Sequence, residues 1–333
     1  LVQGKGEKMT LISIVIPVYY NASSLHLLMQ RLDAFARQNP RYEFEFIFVD
    51  DGSGDGSLRV IQDLSLNDER VNVVKLSRNF GSDSAILAGM SVARGDCIGF
   101  VAADLQDPPE VLTDMLSLWQ QGNKVIFAVR KDRKGDPVTS TIFSYIFNTL
   151  FTWLIYKGIP THGIGFFLVD RQVSDVLLKC DEKNPHLFGL ILWTGFSYTI
   201  VHYNREERLH GSSRWTFRKK LKFFIDAFVA STYLPIRISS AMGLILASIG
   251  AVYAVVVLIA KITKQIPVEG FAALMIALLI LSGVQLIMLG VIGEYLWRTL
   301  DASRKRPTFI IESYSNGKNG RNNLSDNASL KNL

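Results

Sequence analysis

Acidic, glycine-rich and arginine-bearing segments recur along the first half of this 333-residue chain, each directly after a short β-rich run. Val49 is followed by Asp50-Asp51-Gly52-Ser53-Gly54-Asp55-Gly56-Ser57, and Ala102-Ala103 by Asp104-Leu105-Gln106-Asp107-Pro108-Pro109. Pro17-Val18-Tyr19 closes an earlier run, Leu76 leads into Ser77-Arg78-Asn79-Phe80-Gly81, and Arg130 ends a further one. Carboxylates gathered from several such ends can hold a nucleoside and a divalent cation, while an arginine fork meets phosphate. Hard oxygen donors of this kind suit Mg²⁺ or Mn²⁺. Each acid also has a local alternative. Asp51 and Asp55 can cap a turn or a helix start, and Asp104 can cap a helix before Pro108. No Gly-Xaa-Gly-Xaa-Xaa-Gly fingerprint follows the first run and no Gly-Lys-Ser/Thr loop occurs, which argues against a dehydrogenase and a P-loop NTPase.

Such ends need a frame that brings them together. Leu11 to Val18, Phe44 to Val49, Val71 to Leu76, Cys97 to Ala102 and Lys124 to Val129 have the composition of buried strands. Helical patterns fall between them at Ser24 to Gln38, Ser57 to Leu66, Asp83 to Ala93 and Pro108 to Gln121. This alternation with short connections predicts an α/β fold with a mostly parallel, doubly wound sheet. In such sheets ligands bind beyond the carboxyl ends of the strands, where the acids stand. Cys97 and Cys180 are the only cysteines, and their spacing supports neither a zinc site nor a disulfide scaffold, so both are expected to be reduced core thiols.

Two uninterrupted apolar runs, Ile238 to Ala260 and Phe271 to Gly293, follow this domain. Neither carries a charge, and at about 1.5 Å per residue each is long enough to cross the hydrocarbon core of a bilayer. Arg214, Arg218, Lys219, Lys220, Lys222 and Arg237 precede the first run, and Arg298, Arg304, Lys305 and Arg306 follow the second. By the positive-inside rule the catalytic domain and both termini are expected in the cytoplasm, with the chain a multi-pass protein of the inner (plasma) membrane. These clusters account for much of the excess of 36 Lys and Arg over 30 Asp and Glu. Anionic lipid headgroups therefore explain the charge, and nucleic acid does not. Tyr295 and Trp297 stand where an interfacial aromatic belt belongs. Gly243, Ala247 and Ala251 form a small-residue stripe that serves either packing within the hairpin or a homo-oligomer. Phe217 to Tyr233 alternates aromatic and basic residues like a helix lying in the interface, and Ile142 to Tyr156 reads as a second membrane-touching or buried helix. Residues 1–8 have the look of a tag remnant before Met9, and the tail beyond Ser313 has no apolar period and is expected to be disordered.

Taken in order, Pro17-Val18-Tyr19, Val49-Asp50-Asp51-Gly52-Ser53, Arg78-Asn79-Phe80-Gly81 and Asp104-Leu105-Gln106-Asp107-Pro108-Pro109 resemble the motifs of family 2 glycosyltransferases with the GT-A fold. Within that family the chain is most similar to the polyisoprenyl-phosphate glycosyltransferases, the group of dolichol-phosphate mannose synthase and the bacterial GtrB-type undecaprenyl-phosphate glucosyltransferases. The two spans match the bacterial branch. The resemblance implies a GT-A domain over 9–213, a juxtamembrane amphipathic helix over 214–235, two membrane helices within 236–298 and a cytoplasmic tail over 299–333. It implies metal-dependent, inverting transfer of a hexose, glucose from UDP-glucose being the leading candidate, to a polyisoprenyl phosphate. Asp50 would accept a hydrogen bond from the base, with Pro17 and Tyr19 lining the pocket and Asp51, Asp55, Asn79 and Gly81 contributing. Asp104 would be the metal carboxylate and Gln106 a neutral ligand. Arg130, Arg205 and Arg208 would stabilise the phosphate charge as the bond breaks, while Ser213, Arg214 and Arg208 would meet the lipid phosphate. His210 reads as a loop residue rather than a base, since the lipid phosphate is already an anion.

Two departures from the family pattern stand out. The pattern has an aspartate two residues before Asp104, where this chain has Ala102, and Asp107 could replace it if turned inward. Relatives often read Gly-Asp-Phe-Arg-Leu where this chain has Gly165 and Phe167 at the polar positions, so the duties of that Asp and Arg do not carry over. A membrane scaffold on a degenerate transferase domain is the non-enzymatic alternative. A processive polysaccharide synthase would need a Gln-Xaa-Xaa-Arg-Trp motif, but Arg214-Trp215 follows Gly211-Ser212-Ser213.

Overall fold

The computed structural model describes residues 9–131, 164–180, 182, 185–206, 234–263 and 270–317. The chain forms two compact units, one of residues 1–214 with 307–333 and one of residues 215–306. In the first, β1 (Thr10–Val18), α1 (Leu25–Gln38), β2 (Tyr42–Asp50), α2 (Ser57–Asn67), β3 (Val71–Leu76), α3 (Ser82–Val92) and β4 (Cys97–Phe100) alternate as expected. A 3₁₀ turn (Pro109–Val111) runs into α4 (Leu112–Gln120) and then β5 (Val125–Arg130). Beyond these lie β6 (Ile164–Asp170), α5 (Arg171–Leu177), α6 (Leu187–Trp193), β7 (Tyr198–Tyr203) and, after the second unit, β8 (Ile311–Asn316).

The eight strands form one sheet in the order β7-β5-β6-β4-β1-β2-β3-β8. Parallel pairing joins β4 to β1, β1 to β2, β2 to β3 and β5 to β7, whereas β6 runs antiparallel to both β4 and β5. The apolar stretches Ile14–Val18 of β1 and Phe46–Val49 of β2 suit strands covered on both faces, and Ile12, Ile14, Ile16, Phe46 and Phe48 are fully buried. The fourth strand stops at Phe100 rather than Ala102. The Val101 N–H still reaches the Val15 carbonyl at 3.0 Å, and the chain then turns away into the acidic segment. Cys97 is fully buried in β4, while Cys180 is only half-buried, and both are free.

The tail departs from expectation. Ile311–Asn316 is an edge strand antiparallel to β3, and it extends past Ser313. An edge strand needs little apolar periodicity of its own. Ile311 and Tyr314 pack against the core, Glu312 pairs with Lys75 at 2.5 Å, and the backbone supplies the rest.

The second unit comprises α7 (Leu234–Ile262) and α8 (Phe271–Ser303), which contain the two expected spans; α8 continues past Gly293 to Ser303. Both are long and apolar enough to cross a membrane. Leu244, Val252 and Leu286 are 72%, 66% and 69% exposed, a surface that water disfavours and lipid does not. A Cβ on Gly243 would lie 3.3 Å from Met288 Cε, so the start of the small-residue stripe faces α8 of the same chain. Near the end of α8, Arg298 pairs with Glu294 at 3.0 Å and the Arg304 guanidinium lies 5.7 Å from the Trp297 ring centre. Ile142 to Tyr156 and Phe217 to Tyr233 fall outside the described residues.

Candidate active site

Asp50 is the last residue of β2, in register with Val18 of β1 and Lys75 of β3. It is 1% exposed, and among the described residues its carboxylate is hydrogen-bonded by Ser53 alone, whose N–H lies 3.4 Å from each oxygen. Burial pushes its pKa up, opposed by the hydrogen bonds from Ser53. The neighbouring acid is committed elsewhere. Asp51 accepts from the Phe80 N–H at 2.7 Å, the Gly81 N–H at 3.0 Å and the Asn79 side chain at 2.9 Å. Gly52, at φ +70°, lets the two loops close, since a Cβ there would meet Asn79 N at 2.7 Å. Asp51, Asn79 and Gly81 thus brace one another and hold Asp50 in place. Asp55 is exposed and accepts from the Ser57 N–H at 3.1 Å and the Ala22 N–H at 3.5 Å. Burial works against its ionisation, but those bonds prevail and keep its carboxyl below the ordinary value, as in a helix cap.

Beside Asp50 the end of β1 presents Pro17, half-buried, and then Tyr19 and Tyr20. The two tyrosine rings meet edge to face at 4.7 Å. Tyr20 has φ +58°, and its N–H donates to Ser53 Oγ at 3.1 Å, which ties the β1 end to the glycine-rich loop. Left-handed backbone in a bulky residue is strained and collects at functional sites. Leu105 is a second instance, at φ +61° with its side chain fully buried, between Asp104 and Gln106.

Asp104 is half-buried and accepts from the Gln106 N–H at 3.3 Å. Gln106, the expected neutral metal ligand, meets a protein partner. Its Oε1 accepts from the Arg205 guanidinium at 2.5 Å. Asp107 does turn inward and is 3% exposed, but toward other groups: the Tyr203 hydroxyl donates to its Oδ1 at 2.5 Å, and Arg130 and Arg205 approach that oxygen at 3.9 Å. The described residues contain no group of three or more His, Cys, Asp or Glu arranged to hold a metal. Asp104 alone still fits a hard cation of the kind that keeps its waters and completes its shell with substrate phosphate.

Arg130 closes β5 and Arg205 stands just beyond β7, so two guanidiniums from neighbouring parallel strands converge on one carboxylate. Residues not singled out by sequence complete this arrangement. Tyr203 lies beside Gly165, and Arg31 of α1 grips Glu110 at 2.7 Å and Glu206 at 2.8 Å, pinning the segment that carries Arg205. The Glu206 N–H adds a bond to the Gln106 carbonyl at 2.9 Å. Phe167 is fully buried, consistent with a packing role. Arg208, His210, Ser213 and Arg214 fall outside the described residues.

A sequence profile described as "Glycosyl transferase family 2" matches residues 13–178. The uncharacterized glycosyltransferase YkcC of Bacillus subtilis is 37% identical over 300 residues, 90% of this chain and 93% of that one. The chain belongs to glycosyl transferase family 2. The bactoprenol glucosyl transferase of Shigella phage SfV is 32% identical over 306 residues, covering 91% of this family 2 chain and 98% of the phage protein. A solved mannosyl-3-phosphoglycerate synthase from Rubrobacter xylanophilus is a remote likeness, with TM-score 0.45 and 18% identity over 66% of this chain and 72% of that one. Its membership makes this family 2 glycosyltransferase a GT-A protein, and the strand ends that the fold gathers, carrying Asp50, Asp104, Asp107, Arg130 and Arg205, are its candidate site.

Proposed function

We propose that this glycosyltransferase moves a single hexose, glucose from UDP-glucose, onto undecaprenyl phosphate at the cytoplasmic face of the membrane, with inversion at the anomeric carbon. The observation that carries this reading is the pairing of one end of the sheet, bearing acids and two arginines, with a hairpin of two lipid-compatible helices in the same chain. A relative named for bactoprenol as its acceptor, similar over nearly its whole length, supports the acceptor class. Positive charge on both flanks of the hairpin supports the cytoplasmic orientation.

In this reading Asp50 receives the base, Pro17 and Tyr19 line its pocket, and Asp55 shapes the glycine-rich loop around it. Asp104 would hold Mg²⁺ or Mn²⁺ against the diphosphate, and the cation would supply charge neutralisation there. Arg130 and Arg205, with Arg208, face the phosphates. The lipid phosphate oxygen attacks the anomeric carbon from the face opposite the donor oxygen, a bond from carbon to that oxygen breaks, and UDP leaves with the electron pair. No strong base is needed, because the nucleophile arrives as an anion; positioning and leaving-group stabilisation carry the step. Ser213, Arg214 and Arg208 stand in the segment that would meet the lipid phosphate.

The experiment is transfer of radiolabelled sugar from a panel of UDP- and GDP-sugars to undecaprenyl phosphate by the full-length protein in detergent, with Mg²⁺, Mn²⁺ or EDTA. A lipid-linked product from UDP-glucose, lost in EDTA, is the expected result. Product from another donor alone would overturn the sugar assignment. If no donor is used or bound, the scaffold reading favoured by Ala102 takes its place.

A further inference from the structure

Arg31, on α1, uses both edges of its guanidinium. On one edge Nε donates to Glu110 Oε1 at 2.9 Å and Nη2 to Glu110 Oε2 at 2.7 Å. On the other, Nη1 and Nη2 donate to the two carboxylate oxygens of Glu206, each at 2.8 Å. An isolated surface ion pair contributes little, but two bidentate forks on one arginine impose a geometry as well as a charge. Lysine, a point charge on a flexible stem, cannot reproduce it.

The two acids belong to different segments of the site. Glu110 lies on the stretch after β4 that carries Asp104, and that stretch is laid along α1. At the start of the helix Ser24 Oγ donates to the Ala103 carbonyl at 2.6 Å, Arg31 meets Glu110 further on, and at the end Asn39 Nδ2 donates to Thr113 Oγ1 at 3.0 Å. Glu206 lies on the segment leaving β7, which in sequence runs on to Arg208, Ser213 and Arg214. Its N–H bonds the Gln106 carbonyl at 2.9 Å, beside the contact between the Arg205 and Gln106 side chains. Helix α1 is thus a splint for the acidic stretch, and Arg31 is where the segment from β7 is clamped to both. We propose that Arg31 is a positioning residue for sugar transfer: its double fork fixes the start of the segment assigned to the lipid phosphate against the stretch that carries Asp104. This rests on the glycosyltransferase reading above and adds a residue that acts through the segments it joins. Asp50, Pro17 and Tyr19 stand on other segments, at the ends of β1 and β2, so binding of the base should not depend on the clamp.

The test uses full-length protein in detergent. It compares wild type with Arg31→Lys, which keeps the charge and loses the fork, with Glu206→Gln, and with the two changes combined. Arg31→Lys is expected to raise KM for undecaprenyl phosphate and lower kcat/KM for it about tenfold, the scale of a small misplacement of a reacting group, with UDP affinity by calorimetry within about twofold of wild type. A residue that only stabilised the fold would lower the active fraction, and so kcat, without moving KM. The double variant should lose no more than Arg31→Lys alone, because both changes break the same fork. An unchanged KM for the lipid, a matching loss of UDP affinity, or losses that multiply in the double variant would each overturn the proposal. Hydrogen exchange reads the clamp without relying on catalysis. The Glu206 amide should exchange at least about tenfold faster in Arg31→Lys while β1 and β2 stay protected, and equal exchange overturns the clamp. A wild type that transfers no sugar sinks the functional reading instead, and faster Glu206 exchange in the variant then still upholds the clamp.

Discussion

The two ends of the central sheet handle buried acid in opposite ways. Toward the amino ends of β1, β2 and β3, Glu45 is 2% exposed and saturated: Ser13 Oγ donates to it at 2.6 Å, Asn72 Nδ2 at 3.3 Å, the Arg94 N–H at 2.6 Å and the Arg94 guanidinium at 2.7 Å and 3.0 Å. At the carboxyl end of the same β2, Asp50 is as deeply buried but, among the described residues, takes its hydrogen bonds from Ser53 alone, the N–H lying 3.4 Å from each oxygen. A carboxylate that the fold has fully hydrogen-bonded contributes to stability and has nothing left to offer a ligand. One buried but under-bonded keeps its capacity for an incoming donor, and its raised pKa records what that costs the free protein. The strained backbone at Tyr20 and Leu105 falls at the second end as well.

This contrast predicts a clean split between activity and stability. Asp104→Ala should lower sugar transfer by at least about a hundredfold, the scale of losing a principal charge-stabilising group, while leaving the thermal midpoint near wild type. Full activity in that variant would remove Asp104 from the site. Glu45→Ala should do the reverse. It strands Ser13, Asn72 and the Arg94 N–H, so a loss of about 2–4 kcal/mol is expected in chemical denaturation, held to that range because Arg94 is half-exposed and can hydrate its charge. KM for the donor should be unchanged; a large effect on KM would mean that the two ends of the sheet are coupled.

The strand ends were legible because their chemistry is local. Val49-Asp50-Asp51-Gly52 announces a strand, an acid and a tight turn within four residues, and the parallel frame follows from the alternation around it. What escaped was set by contacts distant in sequence. Tyr203 and Asp107 stand 96 positions apart, and nothing in the composition of Tyr198–Tyr203 marks its last residue as a partner for an acid after β4. Arg31 looks like an ordinary charge on the polar side of α1 until Glu110 and Glu206 close on it. Asp51 and Gln106 carry the right groups for ligand binding, and that Asp51 also braces Asn79, Phe80 and Gly81 while Gln106 meets Arg205 is something only the fold reveals. The last strand hid for another reason. Edge pairing draws on backbone hydrogen bonds, and Ile311 and Tyr314 are too few to register as a period. Replacing both by serine should lower stability by about 2 kcal/mol through lost apolar burial and uncover the edge of β3, detectable as increased aggregation on warming. Unchanged stability would mean that β8 is an accessory to the sheet rather than part of it.

A finer contrast lies between two titrating groups where α3 and α6 begin. Asp83 Oδ2 accepts from the Leu187 N–H at 3.4 Å, and the adjacent His186 caps α6 by accepting from the Gly189 N–H at 3.0 Å. Burial raises the Asp83 carboxyl to about 6 and lowers the His186 imidazole to about 4. Folding therefore favours the neutral form of both, with opposite consequences for pH. As pH falls from about 6.5 to about 4, the unfolded chain protonates its histidine before the folded one does, and stability is lost. Over nearly the same window the folded chain protonates Asp83 before the unfolded one does, and stability is gained. The two slopes offset, and the wild-type thermal midpoint should stay nearly level between pH 6.5 and 4 as far as this pair is concerned. Asp83→Asn removes the gain, so its midpoint should fall on acidification relative to wild type. His186→Asn keeps a capping oxygen and removes the loss, so its midpoint should rise. Parallel pH profiles in all three proteins would show that neither group titrates out of step with the unfolded chain, and that burial at this helix junction is shallower than the geometry indicates.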